Sequence, residues 1–240
     1  MQTIFSKIHG YEIGYTNKEE FNILKDEIFN KEIYNIDIDL GLYAKKNYSP
    51  VIFDLGAHIG LSILYFKIKY PNSKIIAFEP NPNIFPILEE NIECNGLENI
   101  ELHNIALGNR DEVRVFYIDN SGNDSFSTGS FSKDAWNGTQ ISIPINVTCE
   151  KLSKYITSNI DILKVDIEGT ETEVLKELVE SDKLKYIQNI LIEYHPTNNG
   201  NPKNLLKLLN ENGFETKTRA DEYGTTLINI LAKNISKESA

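Results

Sequence analysis

Five short apolar segments of this chain are each followed by polar or charged residues that could perform chemistry. The segments end in Asp54-Leu55-Gly56, Glu79-Pro80-Asn81, His103-Asn104-Ile105-Ala106, Asp166-Ile167-Glu168 and Glu193-Tyr194-His195. Carboxylates and an imidazole can take a proton from a hydroxyl group, and they can form the hydrogen bonds that orient a ligand. Such chemistry requires that the fold bring these residues to one place.

The elements that would do so alternate between strands and helices. Apolar runs predict seven strands, at 51–55, 74–79, 99–107, 161–169, 189–196, 215–220 and 225–233. Helical patterns are found at 61–69, 82–96, 150–156, 171–181 and 202–213. Continuous apolar strands alternating with helices predict an α/β protein with a doubly wound, mostly parallel sheet. The two final strands add one antiparallel strand, and ligands bind beyond the carboxyl ends of the parallel strands.

The middle and the beginning of the chain depart from this alternation. Segments 112–118 and 141–148 alternate apolar and polar residues, which predicts an inserted pair of antiparallel strands. The stretch 119–140 between them is rich in Ser, Gly and Asn, and it is too long for a simple connection. Such a stretch is either a functional lid or a disordered insertion, and we predict a lid over an acceptor because its aromatic residues suit a sugar. Residues 1–47 are predicted as an extension with a short helix in 21–34, and residues 48–235 as the main domain.

Composition excludes several classes of partner. The chain of 240 residues carries 24 Lys and Arg against 35 Asp and Glu, a net charge of −11. This balance argues against nucleic acid and against an anionic membrane surface. The first residues contain no apolar signal region, so we expect a cytoplasmic protein. The apolar face of the N-terminal helix could cover the core or pair two protomers, which leaves a homo-oligomer open.

The glycine turn after the first strand favours S-adenosylmethionine over a dinucleotide. A dinucleotide fingerprint has the pattern G-x-G-x-x-G, which brings the backbone close to a pyrophosphate. Here Gly56 and Gly60 are present, but His58 and Leu61 occupy the positions of the other two glycines. S-adenosylmethionine carries no pyrophosphate, so two glycines suffice to let the chain pass close to it.

Two carboxylates accompany this turn. Asp54 is predicted to bind the ammonium group of the cofactor, and Glu79 its two ribose hydroxyls. An acid at position 79 suits the ribose of either cofactor, so an NAD-type oxidoreductase remains an alternative. A catalytically inactive protein that still binds the cofactor is the other alternative, although the presence of Asp54, Glu79 and Asp166 argues against it.

Several stretches resemble the FkbM-type S-adenosylmethionine-dependent methyltransferases. They are VIFDLGAHIG, IIAFEPNP, NIALG and above all LKVDIEGTE followed by IEYHP, within residues 50–233. The resemblance implies a Rossmann-like methyltransferase fold and O-methylation of a hydroxyl on a sugar or natural product. The chain departs from the family pattern at two positions, where the family usually has Asn at His58 and Ala at Thr170.

The site residues follow from this fold. The predicted catalytic group is His195, Asp166, Glu168 and Glu193. His195 titrates nearest neutral pH, so it is predicted as the general base. Activity is then expected to fall as the pH drops below about 6.5. Asp166 would orient the cofactor or acceptor, and Glu168 would steer His195 or bind a sugar hydroxyl. The cofactor-binding group is predicted to comprise Asp54, Gly56, Ala57, His58, Gly60, Glu79, Pro80, Asn81, Asn104, Ile105, Ala106 and Asp166.

Two further expectations concern adenine and metal. Asn104, with the backbone of Ile105 and Ala106, is predicted to hold the adenine. Asp166, Glu193 and His195 could instead chelate Mg²⁺, but imidazole is a poor ligand for so hard an ion. A metal-free reaction is therefore favoured.

Overall fold

The computed structural model describes residues 3–35, 48–119, 129–133, 142–195, 201–219 and 228–237. Most of the predicted lid, with Phe126 and Trp136, lies outside the described residues. None of the helices in these ranges combines the length and the apolar character needed to cross a membrane.

Thirteen strands and five α-helices are described within those ranges. The strands are β1 (Ile4–Ile8), β2 (Tyr11–Tyr15), β3 (Val51–Leu55), β4 (Lys74–Phe78), β5 (Ile100–His103), β6 (Ala106–Gly108), β7 (Glu112–Asp119), β8 (Gly129–Ser130), β9 (Ser142–Lys151), β10 (Ile160–Val165), β11 (Ile187–Tyr194), β12 (Phe214–Arg219) and β13 (Ile228–Asn234). The helices are α1 (Lys18–Lys25), α2 (Leu61–Lys69), α3 (Phe85–Cys94), α4 (Glu171–Glu180) and α5 (Pro202–Glu211).

The central sheet has seven strands in the order β12-β13-β11-β10-β3-β4-β5. From β11 to β5 all neighbours pair in parallel, and β13 pairs antiparallel with both β11 and β12. The chain builds outward from β3 to β5, then returns to place β10 on the other side of β3. The strand order therefore reverses between β3 and β10, and this is where open α/β sheets bind ligands.

Alternate residues of the central strands pack against opposite layers. Ile52 and Ile162 belong to a core shared with α2, α3 and the N-terminal segment. Phe53 and Leu163 belong to a second core shared with α4 and α5. This alternation follows from the period of two in a strand, and it covers both faces of the sheet as predicted.

The N-terminal segment is more structured than its sequence indicated. Strands β1 and β2 form an antiparallel hairpin that the sequence analysis missed. Helix α1 begins after Asn17, whose side chain accepts hydrogen bonds from the backbone N–H groups of Glu19 and Glu20. A π-helical turn, Asp26–Asn30, continues it, so the helix spans 18–30 rather than 21–34.

Two predictions of secondary structure are wrong. The strand expected at 99–107 divides into β5, in the central sheet, and β6, in a separate four-stranded sheet of order β6-β9-β7-β8. The helix expected at 150–156 is instead the end of β9 followed by a short 3₁₀ turn, Leu152–Lys154. Both changes have one cause, because Leu107 and Gly108 pair with Glu150 and Lys151 and this pairing overrides local helix propensity.

Candidate active site

The carboxyl ends of the central parallel strands open onto one cavity of about 1030 Å³, its open mouth included. Its wall comes from the glycine turn, the strand ends, the N-terminal segment and the second sheet. The lining residues are Leu24, Glu27, Ile28, Ile33, Tyr34, Gly56, Ala57, His58, Leu61, Ser62, Phe78, Glu79, Pro80, Ile105, Ala106, Leu107, Phe116, Gly129, Phe131, Lys164, Asp166, Ile167, Glu168, Thr170 and Glu193.

The glycine turn is held between the ends of β4 and β10. The N–H groups of Gly56 and Ala57 both donate to the carbonyl oxygen of Phe78, at 3.0 Å each. Gly56 has a φ of +81°, and a Cβ there would lie 1.8 Å from the carbonyl oxygen of Asp166. The turn can therefore approach β10 so closely only because residue 56 is glycine.

Glu79 lies in the cavity wall, 6% exposed. Its two carboxylate oxygens accept hydrogen bonds from the N–H groups of Asn81, at 2.8 Å, and His58, at 2.9 Å. Burial raises the pKa of Glu79, and His58 with these two N–H groups partly offsets that effect. Each oxygen retains a lone pair, so the carboxylate can still accept hydrogen bonds from a ligand.

Four of the predicted cofactor residues are not among the residues that line the cavity, namely Asp54, Gly60, Asn81 and Asn104. Asp54 is fully buried, with Lys164 Nζ at 3.0 Å and Ser62 Oγ at 2.5 Å from its oxygens. Asn104 donates to the carbonyl oxygen of Glu79 at 2.8 Å, while Asn81 is 3% exposed. The ion pair of Asp54 and the hydrogen bond of Asn104 therefore support residues that form the wall.

Lys164 is a component of the site that the sequence analysis missed. It lies in the apolar strand β10, 2% exposed, with its ammonium group 2.8 Å from the carbonyl oxygen of Gly56 and 3.5 Å from Asp166. Burial lowers the pKa of Lys164, but Asp54 and Asp166 more than offset this, and the pKa lies above its usual range. One cation thus ties the glycine turn to the carboxylate after β10.

The predicted catalytic residues form one cluster around His195. Nε2 of His195 lies 3.5 Å from Glu168, 3.9 Å from Glu193 and 4.0 Å from Asp166. Its Nδ1 lies 3.0 Å from Oε1 of Glu171, a residue that is 1% exposed. Glu171 belongs to the D-x-E-G-x-E stretch but was not among the predicted site residues, and its position three residues after Glu168 was the available signal.

The cluster sets the protonation of its members. Burial lowers the pKa of His195, but Glu168, Glu171 and Asp166 more than offset it, and the pKa lies well above its usual range. Burial, opposed by His195 and reinforced by Asp166, raises the pKa of Glu168 to about 7. Burial and Asp166 raise that of Glu193 to about 8. The surrounding carboxylates therefore favour the cationic form of His195.

Two outer segments complete the wall. Tyr34 stacks on Phe66 at 6.0 Å between ring centres, and Lys164 Nζ lies 5.6 Å from the centre of the Tyr34 ring. From the second sheet, Ser130 Oγ donates to the carbonyl oxygen of Glu168 at 2.7 Å, beside Phe131. The N-terminal segment and the inserted sheet therefore contact the same cavity from different sides.

Three atoms that could bind a metal ion lie close together in this cluster. Single atoms of Asp166, Glu168 and His195 lie within 4.8 Å of one another. Glu168 thus replaces Glu193 in the trio that the sequence suggested. The same imidazole is hydrogen-bonded to Glu171 and carries a proton at neutral pH, and an imidazole must lose its second proton before it can bind a metal.

The sheet order and the cavity at its switch point define a methyltransferase-like α/β protein. The methyltransferase FkbM of Methylobacillus flagellatus KT has a similar fold, with a TM-score of 0.54 at 16% identity over 80% of this chain and 45% of that chain. A family model of the methyltransferase FkbM domain matches residues 54–216, more than half of the sequence. The chain therefore belongs to the FkbM methyltransferase family.

Three relatives carry more particular names. Methyltransferase sdnD of Sordaria araneosa is 29% identical over 233 residues, 85% of this chain and 86% of that protein. The 31-O-demethyl-FK506 methyltransferase FkbM of Streptomyces tacrolimicus is 24% identical over 253 residues, 94% of each. The hexuronic acid methyltransferase AglP of Haloferax volcanii is 26% identical over 223 residues, 89% of this chain and 82% of that protein.

Proposed function

We propose that this chain transfers a methyl group from S-adenosylmethionine to a hydroxyl group of a small molecule, such as a sugar or a natural product. The observation that carries the proposal is a single cavity lined by both the glycine turn with Glu79 and the carboxylates after β10 and β11. One relative is named for an acceptor of this kind, a demethylated FK506.

Glu79 and the glycine turn would hold the cofactor, which supplies a methyl group on a sulfonium when bound. The free lone pairs of Glu79 would accept the ribose hydroxyls, and Ile105 and Ala106 would border the adenine. Pro80 lies beside Glu79 in the same wall. Asp166 lines the same wall, and its negative charge favours a cationic ligand over a neutral one.

Glu168 is the residue best suited to take the acceptor's proton. General-base catalysis is most effective when the pKa of the base lies near the working pH, and that of Glu168 is about 7. His195 was the choice from sequence, but as a cation it has no free lone pair for that proton. In this account His195 positions Glu168, and Glu171 fixes His195 from the other side.

The transfer step balances with these residues. The acceptor oxygen forms a bond to the methyl carbon, the carbon–sulfur bond breaks with its electron pair left on sulfur, and the hydroxyl proton passes to Glu168. The attacking oxygen must lie in line with the breaking bond, so orientation is the main requirement. Asp166 and Glu193 flank Glu168 and would orient the acceptor. We favour this metal-free route over a route in which Asp166, Glu168 and His195 hold Mg²⁺.

Methyl transfer itself tests the proposal. Purified protein is incubated with methyl-labelled S-adenosylmethionine and a set of sugars and polyhydroxylated natural products, with and without EDTA. We expect label in an ether product, formed equally in the presence of EDTA. If EDTA abolishes activity and added Mg²⁺ restores it, the reaction requires the metal and the metal-free route is wrong. If the protein does not bind S-adenosylmethionine, the proposed function itself is wrong.

A further inference from the structure

Thr170 carries a buried hydroxyl group without a hydrogen-bond partner. The residue is 5% exposed and lines the cavity, and its Oγ1 forms no hydrogen bond. Within the described ranges, Thr170 is the one residue that both lines the cavity and has a buried side-chain atom without a hydrogen bond. A buried hydroxyl without a partner is unfavourable, so a ligand that supplied one would gain a hydrogen bond there.

The fold does not use this hydroxyl for local structure. Thr170 directly precedes α4, where a threonine commonly accepts a hydrogen bond from the first turn of the helix, yet no such bond is formed. Glu171 instead folds back, and its Oε1 accepts from the N–H of Gly169 at 2.9 Å. The fold therefore leaves this buried hydroxyl for a ligand that reaches it from the cavity.

Its position assigns it to the acceptor rather than to the cofactor. Thr170 lies two residues after Glu168 and one before Glu171, in the turn that carries the proposed base. Ser130 of the second sheet is bonded to the same turn, at the carbonyl oxygen of Glu168. The cofactor-side groups, Glu79 and the glycine turn, follow other strands.

The charge of the surrounding wall restricts what the acceptor can be. Asp166 and the ionised form of Glu168 present negative charge to the cavity, whereas Glu193, with a pKa of about 8, is mostly protonated at neutral pH. The nearby cations are already paired, Lys164 with Asp54 at 3.0 Å and His195 with Glu171 at 3.0 Å. A carboxylate on the acceptor would meet like charges, and such juxtaposition disfavours binding.

We propose that the acceptor is an uncharged hydroxylated molecule, and that one of its non-reacting hydroxyl groups hydrogen-bonds to Oγ1 of Thr170. The proposal rests on the proposed function, because it specifies the acceptor of that reaction. It makes Thr170 a specificity-determining residue, with the carboxylates of Asp166 and Glu168 excluding anionic analogues.

Matched pairs of sugars and matched variants test both parts. The probes are methyl glucoside and methyl galactoside, each compared with its uronate, which differs only by a carboxylate at C6. We expect kcat/KM to favour the neutral sugar at least roughly tenfold. Thr170→Val should raise the KM for the neutral sugar roughly 5- to 100-fold and change kcat less, because the substrate hydroxyl loses its partner. Thr170→Ser, which keeps the hydroxyl, should remain near the wild type.

Two further measurements show whether the hydroxyl of Thr170 contacts the acceptor, contacts the cofactor or only stabilises the fold. The affinity of Thr170→Val for S-adenosylhomocysteine should equal that of the wild type, and its urea midpoint without ligand should be equal or higher. Lost affinity for S-adenosylhomocysteine would assign the hydroxyl to the cofactor, and a lowered midpoint would make its role structural. Preference for the uronates, or no methylation of either neutral sugar, would overturn the acceptor class. Failure of the wild type to bind S-adenosylhomocysteine would instead contradict the proposed function.

Discussion

Glu168→Gln should make the protein more stable and much less active. Burial is the main cause that raises the pKa of Glu168 from 4.5 to about 7. At 1.36 kcal/mol per unit, the folded protein ionises this group at a cost of about 3 kcal/mol. Because 24% of the side chain is exposed, solvent screening makes this value an upper limit.

The direction of the pKa shift of Glu168 determines how the stability of the protein depends on pH. A carboxyl whose pKa is raised on folding binds its proton more tightly in the folded state, so the free energy of unfolding falls as the pH rises from about 4.5 to 7. Glutamine has nearly the same shape and never ionises. Above pH 7 the variant should therefore be more stable than the wild type by at most about 3 kcal/mol, a value that already includes the attraction to His195.

Urea unfolding at pH 4 and pH 8, together with a pH–rate profile, measures both effects. The stability gain should appear at pH 8 and vanish at pH 4, while kcat falls roughly 10²–10⁴-fold, as expected for removal of a general base. The acidic limb near pH 7 should disappear, and affinity for S-adenosylhomocysteine should persist. Glu180→Gln, at an exposed position of α4, is the control and should change neither quantity. Retained kcat, or lower stability at pH 8, would refute the reasoning.

Three other substitutions probe the framework of the site. Gly56→Ala should prevent stable folding, because its Cβ would lie 1.8 Å from a backbone oxygen, whereas Gly96→Ala, with nothing within 4 Å, should cost only about 1 kcal/mol in urea unfolding. Lys164→Met should lower the free energy of unfolding by about 3–5 kcal/mol, because Asp54 stays buried without its cation, and Asp54→Leu in the same chain should restore most of it. His195→Gln should destabilise the protein at pH 6 and less so at alkaline pH, because a raised pKa contributes stability that is lost as the pH rises through it. Equal losses of stability in Gly56→Ala and Gly96→Ala would contradict the steric explanation. If Asp54→Leu does not restore the stability of Lys164→Met, the ion-pair explanation is wrong. A pH-independent effect of His195→Gln would contradict the explanation from its pKa.

The sequence predicted the central sheet well because its signals are local and strong. Continuous apolar runs such as 51–55 and 74–79 match β3 and β4 closely, and the strand order follows from the alternation with helices. The hairpin β1–β2 and the division of 99–107 were missed, because both depend on pairing with partners that the local pattern does not reveal. Glu150 and Lys151 show the same limit, since a helical pattern yields to pairing with β6.

The sequence predicted which residues form the site better than it predicted the role of each residue. His195, Glu168, Glu193 and Asp166 do meet in one cluster, because each lies at or just beyond the carboxyl end of β10 or β11. Their charge states could not be read from sequence, since the pKa of His195 depends on three carboxylates brought together by folding.

Lys164 and Asp54 illustrate a second limit of sequence analysis. A lysine within an apolar strand gives no sign that its ammonium group turns back to a buried carboxylate. The pairing neutralises Asp54 and removes it from the cavity wall, where a ligand contact had been expected. Only the parallel register of β3 and β10, which places Lys164 beside Asp54, makes the pair apparent.

Calorimetric titration with S-adenosylhomocysteine and with NAD tests the central claim most directly, because the whole account requires that this cavity bind the methyl-donor cofactor. We predict that S-adenosylhomocysteine binds with one molecule per chain, and that Glu79→Gln weakens it roughly tenfold or more through loss of a charged acceptor. NAD should give no binding heat. Saturable binding of NAD with none of S-adenosylhomocysteine would contradict the account.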